Sequence, residues 1–154
     1  MECIISHLRH KDSSSDTTSD NWDDWEIQTN ENHSEGVARL AEQFAAEAGL
    51  KGWGRFVGLL HDKGKERRAF QEYIKHANGL PADYHGENKN HAFVGAVLSR
   101  KCAPITFPVA AYVIAGHHAG LCDYTKLRDC LAKPVPNEIT PLTTIAPPAL
   151  PSTK

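Results

Sequence analysis

The sequence has few cysteines and no long apolar run, and these absences exclude several classes of protein. Its four cysteines form no CxxC pair, which argues against a structural zinc knuckle. No apolar run approaches the roughly 18 residues that a membrane span requires. The amino terminus also lacks the basic segment and apolar stretch of a signal peptide. We therefore expect a cytoplasmic protein with reduced thiols and no contact with a membrane.

A large excess of charge of one sign is also absent. Seventeen basic and 19 acidic residues give a formal net charge of −2, so no global attraction draws the chain to nucleic acid. A nucleic-acid substrate would need a local basic patch or bound metal to hold its phosphates. What the chain does have is histidine, with nine in 154 residues, and imidazole is the commonest protein ligand for metals.

Helical spacing dominates the pattern of apolar residues. Alternation with a period of two persists nowhere, so strands have little support and the fold class is predicted to be all-α. The first helix is predicted to begin at Asn32 as N-cap, with Glu35 completing a capping box and Gly49 as the stop. Its apolar face comprises Val37, Leu40, Ala41 and Phe44. Further helical segments are predicted near 53–60, 66–76, 91–101, 109–118 and 123–131.

The chain divides into one domain, residues 1–132, and a tail. Within the domain the segment from Lys11 to Asp24 is polar and aperiodic, and we assign residues 11–30 to an exposed loop. After Lys133 six prolines interrupt any helix and charges almost vanish. Residues 133–154 are therefore predicted to be an extended tail outside the core, or a truncation point.

His61 and Asp62 form the first candidate metal site. Neighbouring residues on an ideal helix point about 100° apart, so they rarely share a ligand. At a helix end followed by Gly64, however, the backbone can unwind and direct both side chains at one ion. An imidazole beside a carboxylate suits Mn, Fe, Co, Ni or Zn. Taken alone, a surface His-Asp pair without function explains the dipeptide at least as well.

Other histidines occupy comparable places at helix ends. His117 and His118 follow the apolar stripe of residues 109–114, while His33 and His91 each open an amphipathic helix. A single such histidine is more often a core or capping residue than a ligand. Together with Asp62 they can converge between the helices of a bundle, where metal sites form. Two ions could then share Asp62 and clamp a phosphate between them.

A basic run follows the His-Asp pair. Lys65 can neutralise a substrate phosphate as a point charge, and Arg67 and Arg68 could hold a nucleic-acid backbone. A solvated helix start explains the run almost as well. The other histidines have no comparable context and are assigned to the surface, with His7 the least secure of them: His7, His10, His76 and His85.

With these residues in view, the chain resembles the HD nuclease domain of the CRISPR-associated helicase-nuclease from type I systems. The resemblance covers residues from about Cys3 to Leu131. Four stretches carry it: Ser6-His7; His33; Gly58-Leu59-Leu60-His61-Asp62-Lys63-Gly64-Lys65 with Phe70-Gln71; and His91 with Gly95-Ala96, then Gly116-His117-His118-Ala119-Gly120-Leu121 with Asp123.

The resemblance implies a helical bundle whose metal site lies between helices. It implies that one or two divalent ions (Mn, Co, Ni, Fe or Mg) are bound and that single-stranded DNA is cut in antiviral defence. A CRISPR helicase domain or subunit and the effector complex are the implied partners. The implied metal ligands are His33, His61, Asp62, His91, His117 and His118. Lys65 would assist at the phosphate, and His7 would lie near the site.

The chain departs from that family at two places. Ala119 stands where the family has glycine. The family also supplies a further aspartate ligand from a later helix, and no aspartate follows Asp129 here. Asp123 or Asp129 could substitute, a partner could complete the site, or the chain could be a fragment.

Two other interpretations stay open. An HD phosphohydrolase for nucleotides or cyclic dinucleotides would use the same metal ligands. A catalytically incomplete module that binds metal or a partner would explain the absent aspartate.

Overall fold

The computed structural model describes residues 3–12, 19–87, 89–104, 107–139 and 148. Within them the chain forms six α-helices and one small sheet, which confirms a helical fold. The helices are α1 (Asn30–Ala46), α2 (Lys51–Leu60), α3 (Arg68–Ala77), α4 (Ala92–Cys102), α5 (Phe107–Gly116) and α6 (Tyr124–Leu131). Short 3-10 helices span Trp22–Asp24 and Lys63–Glu66. None of the helices that the structure describes combines the length and apolar character needed to cross a membrane.

Small residues hold α1 and α2 close together. A Cβ at Gly58 would lie 2.4 Å from the Cα of Ala38, and one at Gly54 would lie 2.2 Å from the carbonyl oxygen of Ala41. Real Cβ atoms do not approach other atoms so closely, so both positions require glycine at this helix spacing. The antiparallel pair therefore brings the start of α1 beside the end of α2.

The main core lies between α2, α4, α5 and α6. Its most deeply buried side chains, each at most 1% exposed, are Leu60, Ala96, Ala110, Ala111, Ile114 and Leu127. A second, smaller cluster joins Ile5 to Phe70 and Ile74 of α3.

A two-stranded antiparallel sheet was not predicted. β1 (Ile5–His10) pairs with β2 (Trp25–Thr29), and the register shifts between Ile5 and His7. Residues 25–29 therefore do not belong to an exposed loop, and Trp25 is only 4% exposed. The segment 13–18 of that predicted loop lies outside the described residues.

The first helix begins earlier than predicted. Thr29, not Asn32, is the N-cap, and its hydroxyl accepts a hydrogen bond from the Asn32 amide at 3.1 Å. Glu35 makes no capping box and instead forms an ion pair with Arg55 of α2 at 3.0 Å. The predicted stop is confirmed, since Gly49 follows the helix with a φ of +71°.

Some predicted core positions are exposed. Leu40 and Phe44 of α1 are 53% and 76% exposed, and Val109 and Val113 of α5 are 71% and 47% exposed. In α1 the alanine face, not the larger apolar residues, packs on α2.

Part of the predicted tail belongs to the core. Ile139 is 7% exposed and packs in the main cluster, with Val135 partly buried against it. Glu138 accepts a hydrogen bond from the Arg68 amide at the start of α3, at 2.8 Å. Val135 and Ile139 therefore contact the core, although everything after residue 132 was predicted to lie outside it, whereas residues 140–147 and 149–154 lie outside the described residues.

Candidate metal centre

Four separate helices deliver polar side chains to one point. His33 lies in the first turn of α1, His61 and Asp62 follow α2, and His91 is the N-cap of α4. The remaining pair follows the end of α5: His117 and His118. The structure thus brings together all six residues that the sequence nominated as metal ligands. We call this set the Asp62 cluster.

The Asp62 carboxylate occupies the middle of the cluster. Its Oδ2 atom lies 3.1 Å from His33 Nε2 and 3.2 Å from His61 Nε2. Its Oδ1 atom lies 3.2 Å from His91 Nε2 and 3.3 Å from His117 Nε2. Asp62 is only 2% exposed, so each oxygen is presented to a different set of imidazoles.

Backbone carbonyls fix two of these imidazoles as potential ligands. His61 Nδ1 lies 2.7 Å from the Gly58 carbonyl oxygen, and His117 Nδ1 lies 2.6 Å from that of Ile114. A carbonyl only accepts, so each Nδ1 carries the proton. In the neutral ring the lone pair is then on Nε2, which faces Asp62. A carbonyl partner of this kind is the usual companion of a metal-ligating histidine.

Unpaired atoms in the cluster fit a cation. Asp62 Oδ1 and His117 Nε2 are buried and make no hydrogen bond, although they lie 3.3 Å apart. Two acceptors that face each other without a proton are unfavourable in a buried site. A divalent ion between them would satisfy both atoms, so the residues present fit a metal.

The electrostatics differ among the members of the cluster. Burial lowers the pKa of His117, but its contact with Asp62 outweighs burial and raises that pKa, so metal ligation must displace a proton there. Burial by itself raises the pKa of Asp62, but contacts with His117, His61 and His91 outweigh it and hold that pKa well below its usual range. Burial lowers the pKa of His33 to about 4, despite the neighbouring Asp62. The carboxylate is therefore charged and the His33 ring neutral at ordinary pH, as metal ligation requires.

His7 is a further potential metal ligand, although the sequence pattern assigned it to the surface. Its ring lies 4.7 Å from that of His33, and one of its nitrogens falls within 4.8 Å of donor atoms of His33 and Asp62. The donors of Asp62, His91, His117 and His118 form a second such group. In the sequence, the position of His7 was indicated by the family resemblance, which placed Ser6-His7 near the site.

Lys65 is buried within the site and does not project toward solvent. It is 3% exposed, and its Nζ lies 2.8 Å from Asp62 Oδ2. The same ammonium donates to the Ser6 hydroxyl at 3.1 Å and lies 3.4 Å from His7 Nε2. The predicted point charge for a phosphate is thus already engaged with the carboxylate, and its contacts indicate that it positions Asp62.

The strand β1 is tied to the centre by Gln71. Its amide side chain accepts from the Ile5 amide at 2.8 Å and donates to the Ile5 carbonyl at 2.9 Å, acting as a strand partner for β1. It also donates to the Lys65 carbonyl at 2.7 Å. A register shift at Ser6 turns the buried hydroxyl toward Lys65. The Phe70-Gln71 pair of the sequence motif therefore has a structural role.

The two arginines of the basic run do not join the cluster. Arg67 donates to the Asn90 carbonyl at 2.7 Å. Arg68 forms an ion pair with Asp83 at 2.9 Å and is 74% exposed on its side chain. It lines a cavity on the opposite face of α3 from His91 and His118. The geometry gives no support to Arg68 as a substrate contact beside the cluster.

Neither candidate for the additional aspartate reaches the centre. Asp123 is the N-cap of α6 and accepts from the Lys126 amide at 2.8 Å. Asp129 pairs with its neighbour Arg128 at 3.1 Å on the surface. Among the residues that the structure describes, no second carboxylate joins the metal-ligand groups around Asp62.

Comparison with known proteins supports this centre. The HD domain family model matches residues 30–143, which is most of the chain and includes every member of the Asp62 cluster. No curated protein gives a significant match to the sequence. HD domains bind divalent metals, and the family implies metal-dependent phosphohydrolase activity. The chain belongs to the HD domain family.

Proposed function

We propose that this protein is a metal-dependent nuclease that hydrolyses phosphodiester bonds of single-stranded DNA in CRISPR antiviral defence. The observation that carries the proposal is the buried Asp62 carboxylate, whose two oxygens face separate sets of imidazoles at 3.1–3.3 Å. The metal ligands in this proposal are His33, His61, Asp62, His91, His117 and His118.

Each residue has a role that follows from its position. Asp62 offers one oxygen to His33 and His61 and the other to His91 and His117, so it can hold one ion or join two. Gly58 and Ile114 carbonyls orient the rings of His61 and His117. Lys65 fixes the carboxylate from the protein side. When bound, divalent ions supply Lewis acidity and activate water for attack on a phosphodiester.

The nuclease is favoured over other HD phosphohydrolases by the sequence after α5. The Gly116-His117-His118-Ala119-Gly120-Leu121 stretch is the most specific part of the resemblance. His118 is exposed, and its Nε2 lies 3.0 Å from His91 Nε2, so this edge of the cluster is open to a polymer. A helicase domain or subunit would supply the single strand, and the effector complex would recruit it.

One observation favours a second candidate, a metal-binding domain without activity of its own. The six-residue cluster holds a single carboxylate, and Asp123 and Asp129 are engaged elsewhere. A phosphohydrolase for nucleotides or cyclic dinucleotides would share the same ligands and differ in substrate alone.

Cleavage of circular single-stranded DNA tests the proposal. Purified protein is incubated with Mn, Co, Ni or Mg, beside an Asp62→Ala variant whose metal content is measured in parallel. We expect metal-dependent cutting of the circle, which requires endonuclease activity. The variant should lose more than about 100-fold, beyond the usual effect of losing a second-shell partner. Metal bound in stoichiometric amounts with no cutting of DNA would overturn the proposal and favour the inactive domain.

A further inference from the structure

A groove opens directly beside the Asp62 cluster. It has a volume of about 820 Å³, and His91 and His118 of the cluster form part of its wall. The rest of the wall comes from β1, from α3, from the loop before α4 and the start of α4, and from the segment between α5 and α6 with the first turn of α6. We call it the lysine groove, after Lys89 and Lys126, which are both exposed on its wall.

The charge of the lysine groove is of one sign. Lys65, Lys89 and Lys126 line it, and none of its lining residues is acidic, although the whole chain has a net charge of −2. Lys65 is neutralised by Asp62, but the other two lie away from that carboxylate. The cavity on the opposite face of α3, with a volume of about 690 Å³, differs, since three glutamates line it: Glu66, Glu72 and Glu138. The positive charge is thus concentrated next to the metal ligands.

Aromatic rings line the same groove. Phe70 is buried, while Tyr73 and Phe93 are half-buried and reach its surface. The Lys89 ammonium lies 4.4 Å from the centre of the Tyr73 ring and 3.2 Å from its hydroxyl oxygen. This contact holds the lysine over the groove through a cation–π interaction. Ring faces and cations in one groove suit a chain of bases and phosphates.

We infer that the lysine groove binds the single strand on one side of the bond that the Asp62 cluster cleaves. Lys89 and Lys126 contact backbone phosphates, and Phe93 and Tyr73 contact bases or sugars. The inference rests on the proposed function because it assigns the path of that function's substrate. It also replaces Arg68 as the substrate-binding cation, since Arg68 faces the other cavity.

Binding measurements test whether the lysine groove holds single-stranded DNA, independently of hydrolysis. The probe is a fluorescent oligothymidine of about 12 nucleotides with hydrolysis-resistant phosphorothioate linkages, titrated with the metal-loaded protein. We expect Lys89→Ala and Lys126→Ala each to weaken binding by about tenfold, the effect of one lost charged contact. Each should also reduce the slope of log K against log salt by about 0.7. Lys101→Ala, an exposed lysine outside the groove, is the matched control and should change neither.

A small substrate separates this inference from the proposed function. Bis(p-nitrophenyl) phosphate reaches the metal centre but is too short to follow the groove, so its hydrolysis by the parent protein reports phosphodiesterase activity without the groove. Lys101→Ala should hydrolyse it with the same kcat/KM as the parent protein. If the ester is hydrolysed but Lys89→Ala and Lys126→Ala leave oligonucleotide binding unchanged, the lysine groove is not the binding site and the phosphodiesterase activity is still supported. Binding through the lysines without any hydrolysis would support the groove and overturn the proposed function. A parent protein that binds no oligonucleotide would overturn the groove.

Discussion

The Lys65 ammonium contacts the carboxylate oxygen that a divalent ion held by His33 and His61 would also use. Lys65 Nζ lies 2.8 Å from Asp62 Oδ2, the atom that His33 and His61 also face. Like charges repel strongly in a buried site because the local dielectric constant is low. Lys65 therefore stabilises the carboxylate in the metal-free protein and opposes an ion at Oδ2. The Oδ1 side, with His91, His117 and His118, has no such competitor among the described residues.

Replacing Lys65 by methionine should separate these two effects. Without metal, Lys65→Met should lower the free energy of unfolding by about 3 kcal/mol, because it removes one partner of a buried ion pair. With metal, calorimetric titration with Mn should show tighter binding of an ion at Oδ2. Lys63→Met is the control, since Lys63 pairs with Glu66 and not with Asp62. Unchanged metal affinity in Lys65→Met would contradict the competition.

At the scale of elements, the centre depends on how closely helices approach one another. His33 and His61 belong to α1 and to the end of α2, and their Nε2 atoms lie 3.2 Å apart. That distance is set by Gly54 and Gly58, which rest on the backbone of α1. A wider spacing between the two helices would pull the rings apart without touching either ligand.

Gly58→Ala should therefore weaken metal binding, although Gly58 contributes no side chain to the Asp62 cluster. The new Cβ would lie 2.4 Å from Ala38 Cα, so α1 must move away. We expect the free energy of unfolding to fall by about 1–3 kcal/mol and Mn affinity to fall with it. Gly36→Ala is a matched control in α1, where nothing lies within 4 Å of the added atom. It should raise stability by about 1 kcal/mol through helix propensity and leave Mn affinity unchanged. Equal metal affinity in both variants would refute the argument.

The helices and the histidines that gather around Asp62 could be predicted from sequence because their signals are local. Spacing, caps such as Gly49 and the position of His91 before an apolar run need no knowledge of the partner helix. The exposure of Leu40 and Phe44 could not be predicted, since α1 has two apolar faces and only the approach of glycines in α2 selects the alanine face. The strand β1 could not be predicted for a similar reason. Its hydrogen bonds are completed by Gln71, which lies 66 positions away from Ile5 in the sequence.

At the scale of the whole molecule, the Asp62 cluster joins two closely packed helix pairs, α1 with α2 and α4 with α5. Its side chains come from α1, from the turn after α2, from the start of α4 and from the end of α5. Without a metal, buried acceptors such as Asp62 Oδ1 and His117 Nε2 face each other unpaired. A bound metal would therefore link four helices and remove an unfavourable arrangement, and the folded state should bind metal far better than the unfolded chain.

Thermal unfolding with and without Mn should measure this linkage. A ligand at about 100 times its Kd stabilises the folded state by about 2.7 kcal/mol, which corresponds to a rise in Tm of about 5–10 °C for a chain of this size. Asp62→Ala should lose the rise, because both ligand sets share that carboxylate. His76→Ala, an exposed histidine outside the cluster, should keep it. If Asp62→Ala and the parent protein gained the same Tm on adding Mn, the ion would be bound elsewhere, and the Asp62 cluster would not be the metal centre of this HD domain.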